Sequence, residues 1–172
     1  ELASSTRFCY LQRHRLGFGM NVIFIGTTQA PRTLAAAAKK KGFEVADEIY
    51  GCDLVFVSED APTDENGKRD LSGIASMVRH AFEVATCPVI VTSQVTPGWT
   101  RALGLPVYHQ IETLRIIDAE ERADNPEMHV IGCLNPLNTL PITYQRYLDA
   151  WPCPKFRVTY EEAELTKIAI NT

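Results

Sequence analysis

Asn21-Val-Ile-Phe-Ile-Gly26 is a short, mostly apolar run that ends at a glycine. Strands buried on both faces have this composition, whereas a strand with one wet face alternates apolar and polar residues. Two further runs of the same kind follow, Asp53-Leu-Val-Phe-Val-Ser58 and Pro88-Val-Ile-Val-Thr-Ser93. Three such strands predict a parallel sheet with helices on both of its faces.

Helical segments separate these strands. Pro31–Lys41 contains an alanine run and stops before Gly42, and Asp70 is placed to cap a second helix with an apolar face. Further elements are expected as a short strand near Val107, another near His129–Ile131 and a helix around Thr143–Trp151. The alternation of strands and helices predicts an α/β fold with a Rossmann-like, doubly wound parallel sheet.

One crossover breaks this pattern. Only eight residues lie between Val45 and Leu54, and a parallel crossover needs about a dozen or more. If Phe43–Ala46 is the second strand of a Rossmann unit, its following helix is missing. Either the chain lacks one crossover unit, or Phe43–Tyr50 pairs differently from the usual plan.

Composition limits the function classes. The chain has 172 residues, of which 45% are hydrophobic, and a net charge of −4 with no basic run longer than Lys39–Lys41. It therefore predicts one domain, no nucleic-acid partner and, without a long apolar run, no membrane span. Five scattered cysteines without metal-ligand spacing favour a reduced, cytoplasmic protein with no metal site. We divide the chain into a loose extension (1–19), a Rossmann-like domain (20–158) and the start of a long central helix (159–172).

The first turn of the sheet is a weak phosphate cradle. It reads Gly26-Thr27-Thr28-Gln29-Ala30-Pro31, so only the first glycine of a GxGxxG pattern is present. Asp47 and Glu48 stand near the distance at which a ribose-binding acid is expected. Taken alone, the turn at 26–31 is better explained as an ordinary strand-to-helix turn.

The C-terminal helix carries a polar stripe next to an apolar face. Helical periodicity places Leu165, Ile168, Ala169 and Thr172 on one face, which we expect to be buried. Glu164, Lys167 and Asn171 form the adjacent stripe. A lysine and an asparagine one turn apart can hold one anionic oxygen, and a nearby carboxylate at Glu112 would suit proton transfer. The alternative is a solvated polar edge.

Taken in order, these segments resemble the UDP-glucose/GDP-mannose dehydrogenase family, which oxidises a sugar C6 hydroxyl to a carboxylate in successive NAD-linked steps. The resemblance covers 20–172, with a gap near 47–52. The matching segments are Cys52–Thr63 (the Thr-Pro cofactor loop), Thr92–Gly98, Gln110–Leu114, Asn125–Gly132 and Glu162–Asn171 (the start of the central helix).

The resemblance implies an NAD-dependent enzyme acting on a nucleotide sugar, with a homodimer formed through the central helix. It implies Glu112 as general acid/base, Lys167 as the group that stabilises an oxyanion, Asn171 as its neighbour and Gln94 where the family has a water-binding threonine. Its cofactor-binding candidates are Gly26, Thr28, Ala61, Pro62 and Thr63. The family's nucleophilic cysteine lies in a Gly-Gly-x-Cys segment that none of the five cysteines matches. The alternative function is a non-catalytic remnant that serves as a binding or assembly module.

Overall fold

The structure, a computed structural model, describes residues 19–115 and 117–170. Within these ranges the chain forms seven strands and six helices, and a helix follows every strand except β2. The strands are β1 (Asn21–Ile25), β2 (Glu44–Val45), β3 (Leu54–Val57), β4 (Val89–Val91), β5 (Tyr108–Ile111), β6 (His129–Cys133) and β7 (Lys155–Thr159). The helices are α1 (Gln29–Lys40), α2 (Ser72–Val84), α3 (Trp99–Ala102), α4 (Ala119–Asp124), α5 (Ile142–Asp149) and α6 (Tyr160–Ile170).

One sheet contains all seven strands, in the order β2-β1-β3-β4-β5-β6-β7. β1, β3 and β4 pair in parallel, with Val22 opposite Leu54 and Val55 opposite Val89, which confirms the prediction for these strands. β5 and β6 are antiparallel, so the predicted Rossmann-like parallel sheet contains one antiparallel pair. Among the described residues between them, the six-residue α4 is the only helix. An antiparallel neighbour needs no crossover helix across the face of the sheet, which agrees with so short a helix.

The second strand follows the usual plan. Glu44 pairs with Asn21 and Val45 with Val22, both in parallel. Residues 46–53, all of which the structure describes, then reach β3 without forming a helix. Because β2 is only two residues long, the return path is short enough for these residues to cover. The chain therefore lacks one crossover unit of the Rossmann-like fold.

Both faces of the sheet are covered. Val22, Leu54 and Phe56 pack on the side of α1 and α5, in a cluster that includes Tyr144, Tyr147 and Trp151. Val55 and Val57 point the other way and pack with Ile74 and Val78 of α2. Successive residues of one strand thus enter opposite apolar layers, which is why β3 and β4 contain only apolar residues. A fully buried aliphatic side chain contributes about 1.5–3 kcal/mol to stability.

The first two helices differ from their predicted limits by a few residues. α1 begins at Gln29, which leaves Pro31 in its first turn, where a missing N–H breaks no helical hydrogen bond. α2 begins at Ser72, whose backbone N–H donates to Asp70 Oδ1 at 2.9 Å. The N-cap of this helix is Leu71, so Asp70, which was predicted as the cap, lies one residue earlier and contacts the helix start through this hydrogen bond.

The last helix docks with a different face from the one expected. Its buried residues are Tyr160, Ala163, Glu164 and Lys167, whereas Leu165 is 58% exposed, so the predicted face is wrong. α6 approaches β6 closely at Gly132, where an added Cβ would lie 2.9 Å from the Ala163 Cβ. Close approach at a small residue, and hydrogen bonds from the polar stripe, determine the orientation of the helix.

Three expectations fall partly or wholly outside the described residues. They are the extension at 1–19, of which only Gly19 is described, the position of Asn171 and that of Thr172. In the part of the chain that is described, no helix has both the length and the apolar character needed to cross a membrane.

Candidate functional site

The candidate site lies at the edge of the sheet where β1, β3, β4 and β5 end. Their parallel pairing brings the loops after Ile25, Val57, Val91 and Ile111 to this common edge. β6 runs the other way, so it begins at this edge with His129. α6 starts after β7, at the opposite edge, and returns along β5 and β6 to bring its last turns to the loop that contains Glu112.

Glu112 and Lys167 form an ion pair at this edge. Lys167 Nζ donates to Glu112 Oε1 at 2.7 Å and to the Glu112 backbone carbonyl. Glu112 Oε2 accepts from the Leu114 backbone N–H at 2.8 Å, so both carboxylate oxygens are held. Lys167 is 4% exposed, while 16% of the Glu112 side chain is exposed. Glu112 is therefore the member of the pair that a ligand would meet first.

A second carboxylate, the buried Glu164 of α6, holds this helix in place. Glu164, fully buried, accepts from the backbone N–H groups of Gly98 at 2.5 Å and Thr100 at 2.8 Å. These donors belong to the loop after β4 and the first turn of α3. Because Lys167 lies one turn further along the same helix, Glu164 sets the position of Lys167 relative to the sheet.

His109 is buried below the same helix. Its Nδ1 lies 3.5 Å from Thr100 Oγ1. Burial lowers the pKa of His109 to about 4, and the charge of Lys167 lowers it further in the same direction. The imidazole is therefore neutral at physiological pH.

The two other predicted catalytic residues are Gln94 and Asn171. Gln94 is half-buried in the loop after β4, and its backbone carbonyl accepts from Arg69 at 3.4 Å. Asn171 lies outside the described residues. The structure thus brings together Glu112 and Lys167, and it puts Gln94 on a loop at the same edge.

In the predicted phosphate turn, the glycine has a packing role. A Cβ at Gly26 would lie 1.8 Å from the Ser58 carbonyl oxygen, so the end of β1 can approach β3 only without a side chain. The Thr28 hydroxyl oxygen is buried without a hydrogen-bond partner among the described residues. The backbone N–H and hydroxyl of Thr27 both donate to Glu59 Oε2, at 2.7 and 3.0 Å.

The second predicted cofactor segment, Ala61–Thr63, begins an exposed loop. Thr63 forms an isolated antiparallel bridge with Arg69, and the Asp70 backbone N–H donates to the Pro62 carbonyl at 2.8 Å. Gly67, with φ at +77°, makes the turn between them.

A dinucleotide does not fit the first turn as it stands. Its diphosphate needs the free backbone N–H groups that precede the helix, and the Thr27 donors are already bound to a carboxylate. Sequence analysis missed Glu59, because a backbone N–H partner such as that of Thr27 leaves no mark in the sequence. For Glu164 there was one indication in the sequence, because helical periodicity places it on the same polar stripe as Lys167.

Comparison with known proteins rests on structure alone. No protein-family model matches the chain. No curated protein matches it in sequence.

Solved structures share the fold over about nine-tenths of the chain. GDP-mannose dehydrogenase from Pseudomonas aeruginosa superimposes with a TM-score of 0.73 at 20% identity, over 88% of this chain and 49% of that one. UDP-glucose dehydrogenase from Pyrobaculum islandicum gives 0.74 at 18% identity, over 91% and 50%. UDP-N-acetyl-mannosamine dehydrogenase from Staphylococcus aureus gives 0.64 at 13% identity, over 88% and 50%. The chain spans about half the length of each, and what it shares with these nucleotide-sugar dehydrogenases at such identities is their Rossmann-like fold.

Proposed function

We propose that this chain is the cofactor-domain half of a nucleotide-sugar dehydrogenase of the UDP-glucose type, an NAD-linked enzyme that oxidises a sugar C6 hydroxyl to a carboxylate. The observation that carries the proposal is the Lys167–Glu112 ion pair at the carboxyl edge of the sheet. Ligands of open parallel sheets bind at this edge. The shared fold with three nucleotide-sugar dehydrogenases supports the substrate class.

The two side chains have complementary roles. The carboxylate of Glu112 accepts the proton of the sugar hydroxyl, and the ammonium of Lys167 stabilises the negative charge that develops on the oxygen. Lys167 is suited to this because it is held by α6 and shielded from water, where a fixed charge has a larger effect than in bulk solvent. Gln94 and Asn171 are the further polar candidates for contact with the sugar.

NAD, when bound, supplies the hydride acceptor for such an oxidation. Gly26, Thr28 and Ala61–Thr63 are the positions proposed to contact it. Since the turn does not fit a diphosphate while Glu59 holds Thr27, the chemistry proposed for this chain is confined to proton transfer and charge stabilisation.

Titration of sugar nucleotides into the full, isotope-labelled chain tests the proposal without NAD. UDP-glucose and GDP-mannose should shift the backbone NMR signals of Glu112, Leu114 and the last turn of α6. Lys167→Met should weaken binding by about tenfold or more, because it removes the buried cation. Lys39→Met, which removes an exposed lysine of α1, is the matched control and should leave affinity unchanged.

A second candidate is a non-catalytic binding or assembly module. The Glu59–Thr27 contact and the absent crossover unit favour it, because both affect the part of the fold that holds a dinucleotide. Absence of any shift near Glu112, or equal weakening by both lysine variants, would reject the dehydrogenase proposal in favour of this module.

A further inference from the structure

Glu59 connects three loops at the carboxyl edge of the sheet. Its Oε2 accepts from the backbone N–H and hydroxyl of Thr27, at 2.7 and 3.0 Å, in the loop after β1. Its own N–H donates to Ser93 Oγ at 2.8 Å, in the loop after β4. Its Oε1 accepts from the Asp60 N–H at 3.2 Å. The carboxylate is thus held in a definite position within the turn.

This position is the one that an external anion would need. In dinucleotide-binding α/β folds the backbone N–H groups between the first strand and its helix hold the diphosphate. Thr27 lies between the end of β1 at Ile25 and the start of α1 at Gln29. A carboxylate oxygen bound there replaces a phosphate oxygen, and its negative charge repels any second anion at contact distance.

An internal anion also has a concentration advantage. Glu59 is attached to β3, two residues beyond Val57, so it reaches Thr27 without losing translational freedom. A free ligand must overcome the high effective concentration of a tethered group. The contact therefore competes with dinucleotide even when the ligand is abundant.

We propose that Glu59 is a built-in anion that occupies the phosphate turn and excludes the diphosphate of a dinucleotide until it is displaced. This inference rests on the proposed function, since it assumes that the turn after β1 binds the diphosphate of a dinucleotide. Glu59 then sets the cofactor affinity of the domain.

Calorimetry on the full chain tests the inference with NAD, ADP-ribose and adenosine. Glu59→Ala removes both charge and volume from the turn, whereas Glu59→Gln removes the charge alone. Binding of NAD and ADP-ribose should tighten by about tenfold or more in Glu59→Ala and by a smaller factor in Glu59→Gln. Adenosine, which has no phosphate, should show no change in any variant.

Asp60→Asn is the matched control, because it removes one negative charge from the adjacent exposed residue. If it tightens binding as much as Glu59→Ala, the effect is general electrostatics and the inference is overturned. Thermal unfolding of each variant confirms that the loops remain folded.

The remaining outcomes separate the inference from the proposed function. Equal and measurable NAD binding by wild type and Glu59→Ala overturns the inference and leaves a dinucleotide domain in place. Absence of binding by either protein, at millimolar NAD or ADP-ribose, overturns both the inference and the proposed cofactor.

Discussion

Two histidines lie in the interior with limited hydrogen bonding. His109 Nδ1 lies near the Thr100 hydroxyl, and His129 Nδ1 lies 3.3 Å from the Gln110 side-chain nitrogen. Neither Nε2 atom has a partner within the described residues. Burial lowers the pKa of each to about 4, with a smaller contribution from Lys167 at His109 and from Lys155 at His129. Both rings are thus neutral when the protein is folded at neutral pH.

Acid should therefore destabilise the fold in a defined window. The unfolded chain protonates these histidines near pH 6.5 and the folded chain near pH 4, so between these values the unfolded state binds more protons. The free energy of unfolding should fall as the pH is lowered from 6.5 to 4, by at most about 3 kcal/mol per histidine. Urea unfolding at about pH 7.5, 6 and 5 measures this.

The control is His80→Gln, which replaces an exposed histidine and should leave the slope unchanged. Hydrogen bonds lower the pKa values of Glu161 and Glu162 from 4.5, so these carboxylates add a dependence only at lower pH. Stability that stays constant from pH 7.5 to about pH 5 would contradict the assignment of the two histidines.

Among individual residues, the sequence indicated one pair of neighbouring side chains and missed other long-range contacts. The strand end at Glu112 and the stripe that contains Lys167 were both readable, and their ion pair follows from the shared edge of the sheet. The contacts of Glu59 and Glu164 were not predicted, because both carboxylates bind backbone N–H groups of other loops, and almost every residue type offers such a donor. Local spacing contains no information about such partners.

Among the elements, α6 depends on close contact with β6. A Cβ at Gly132 would lie 2.9 Å from the Ala163 Cβ and 3.2 Å from the Tyr160 Cα. Gly132→Ala should therefore lift the helix and destabilise the protein by about 1–3 kcal/mol, the usual cost of overpacking. Chemical denaturation gives the value, and an NMR signal change at Lys167 would report the displaced helix.

Gly73→Ala is the matched control for this substitution. Gly73 lies in α2, and a Cβ there would meet no atom within 4 Å. Alanine favours a helix over glycine by about 1 kcal/mol, so this variant should be as stable as wild type or more so. Equal stability of the two alanine variants would show that β6 tolerates a side chain below α6.

Strands could be predicted where a run of residues is almost entirely apolar. The direction of a strand in the sheet could not be predicted. The apolar runs around Ile23, Val55 and Ile90 became β1, β3 and β4 as predicted, because only a strand buried on both faces accommodates them. The direction of β6 was missed, since hydrophobic periodicity is the same in both chain directions. The docked face of α6 was missed because a buried carboxylate, Glu164, and a glycine of β6 orient it.

In the molecule as a whole, two exposed apolar side chains of α6 bear on the predicted self-association. Leu165 is 58% and Ile170 40% exposed on this helix. If two chains bury these side chains against each other, Ile170→Glu should shift the sedimenting species towards the monomer, because a buried unpaired charge is strongly unfavourable. Leu137→Glu is the control, since Leu137 is 89% exposed in the loop before α5. Monomeric wild type at high concentration would rule out the predicted homodimer.

The short connection between β2 and β3 has a consequence for how this architecture is modified. Val22 pairs with Leu54, which is only 32 positions further along the chain. The segment that links β2 and β3 contains Tyr50, which is largely exposed, and Gly51, where an added Cβ would meet no atom within 4 Å. The entropy of closing a loop grows slowly with its length, by about 0.6 kcal/mol for each doubling. A strand-and-helix unit, or a foreign domain, inserted at Tyr50–Gly51 should therefore leave the rest of the sheet intact. The place where this chain lacks a crossover unit is thus also the place where we expect it to tolerate an inserted segment.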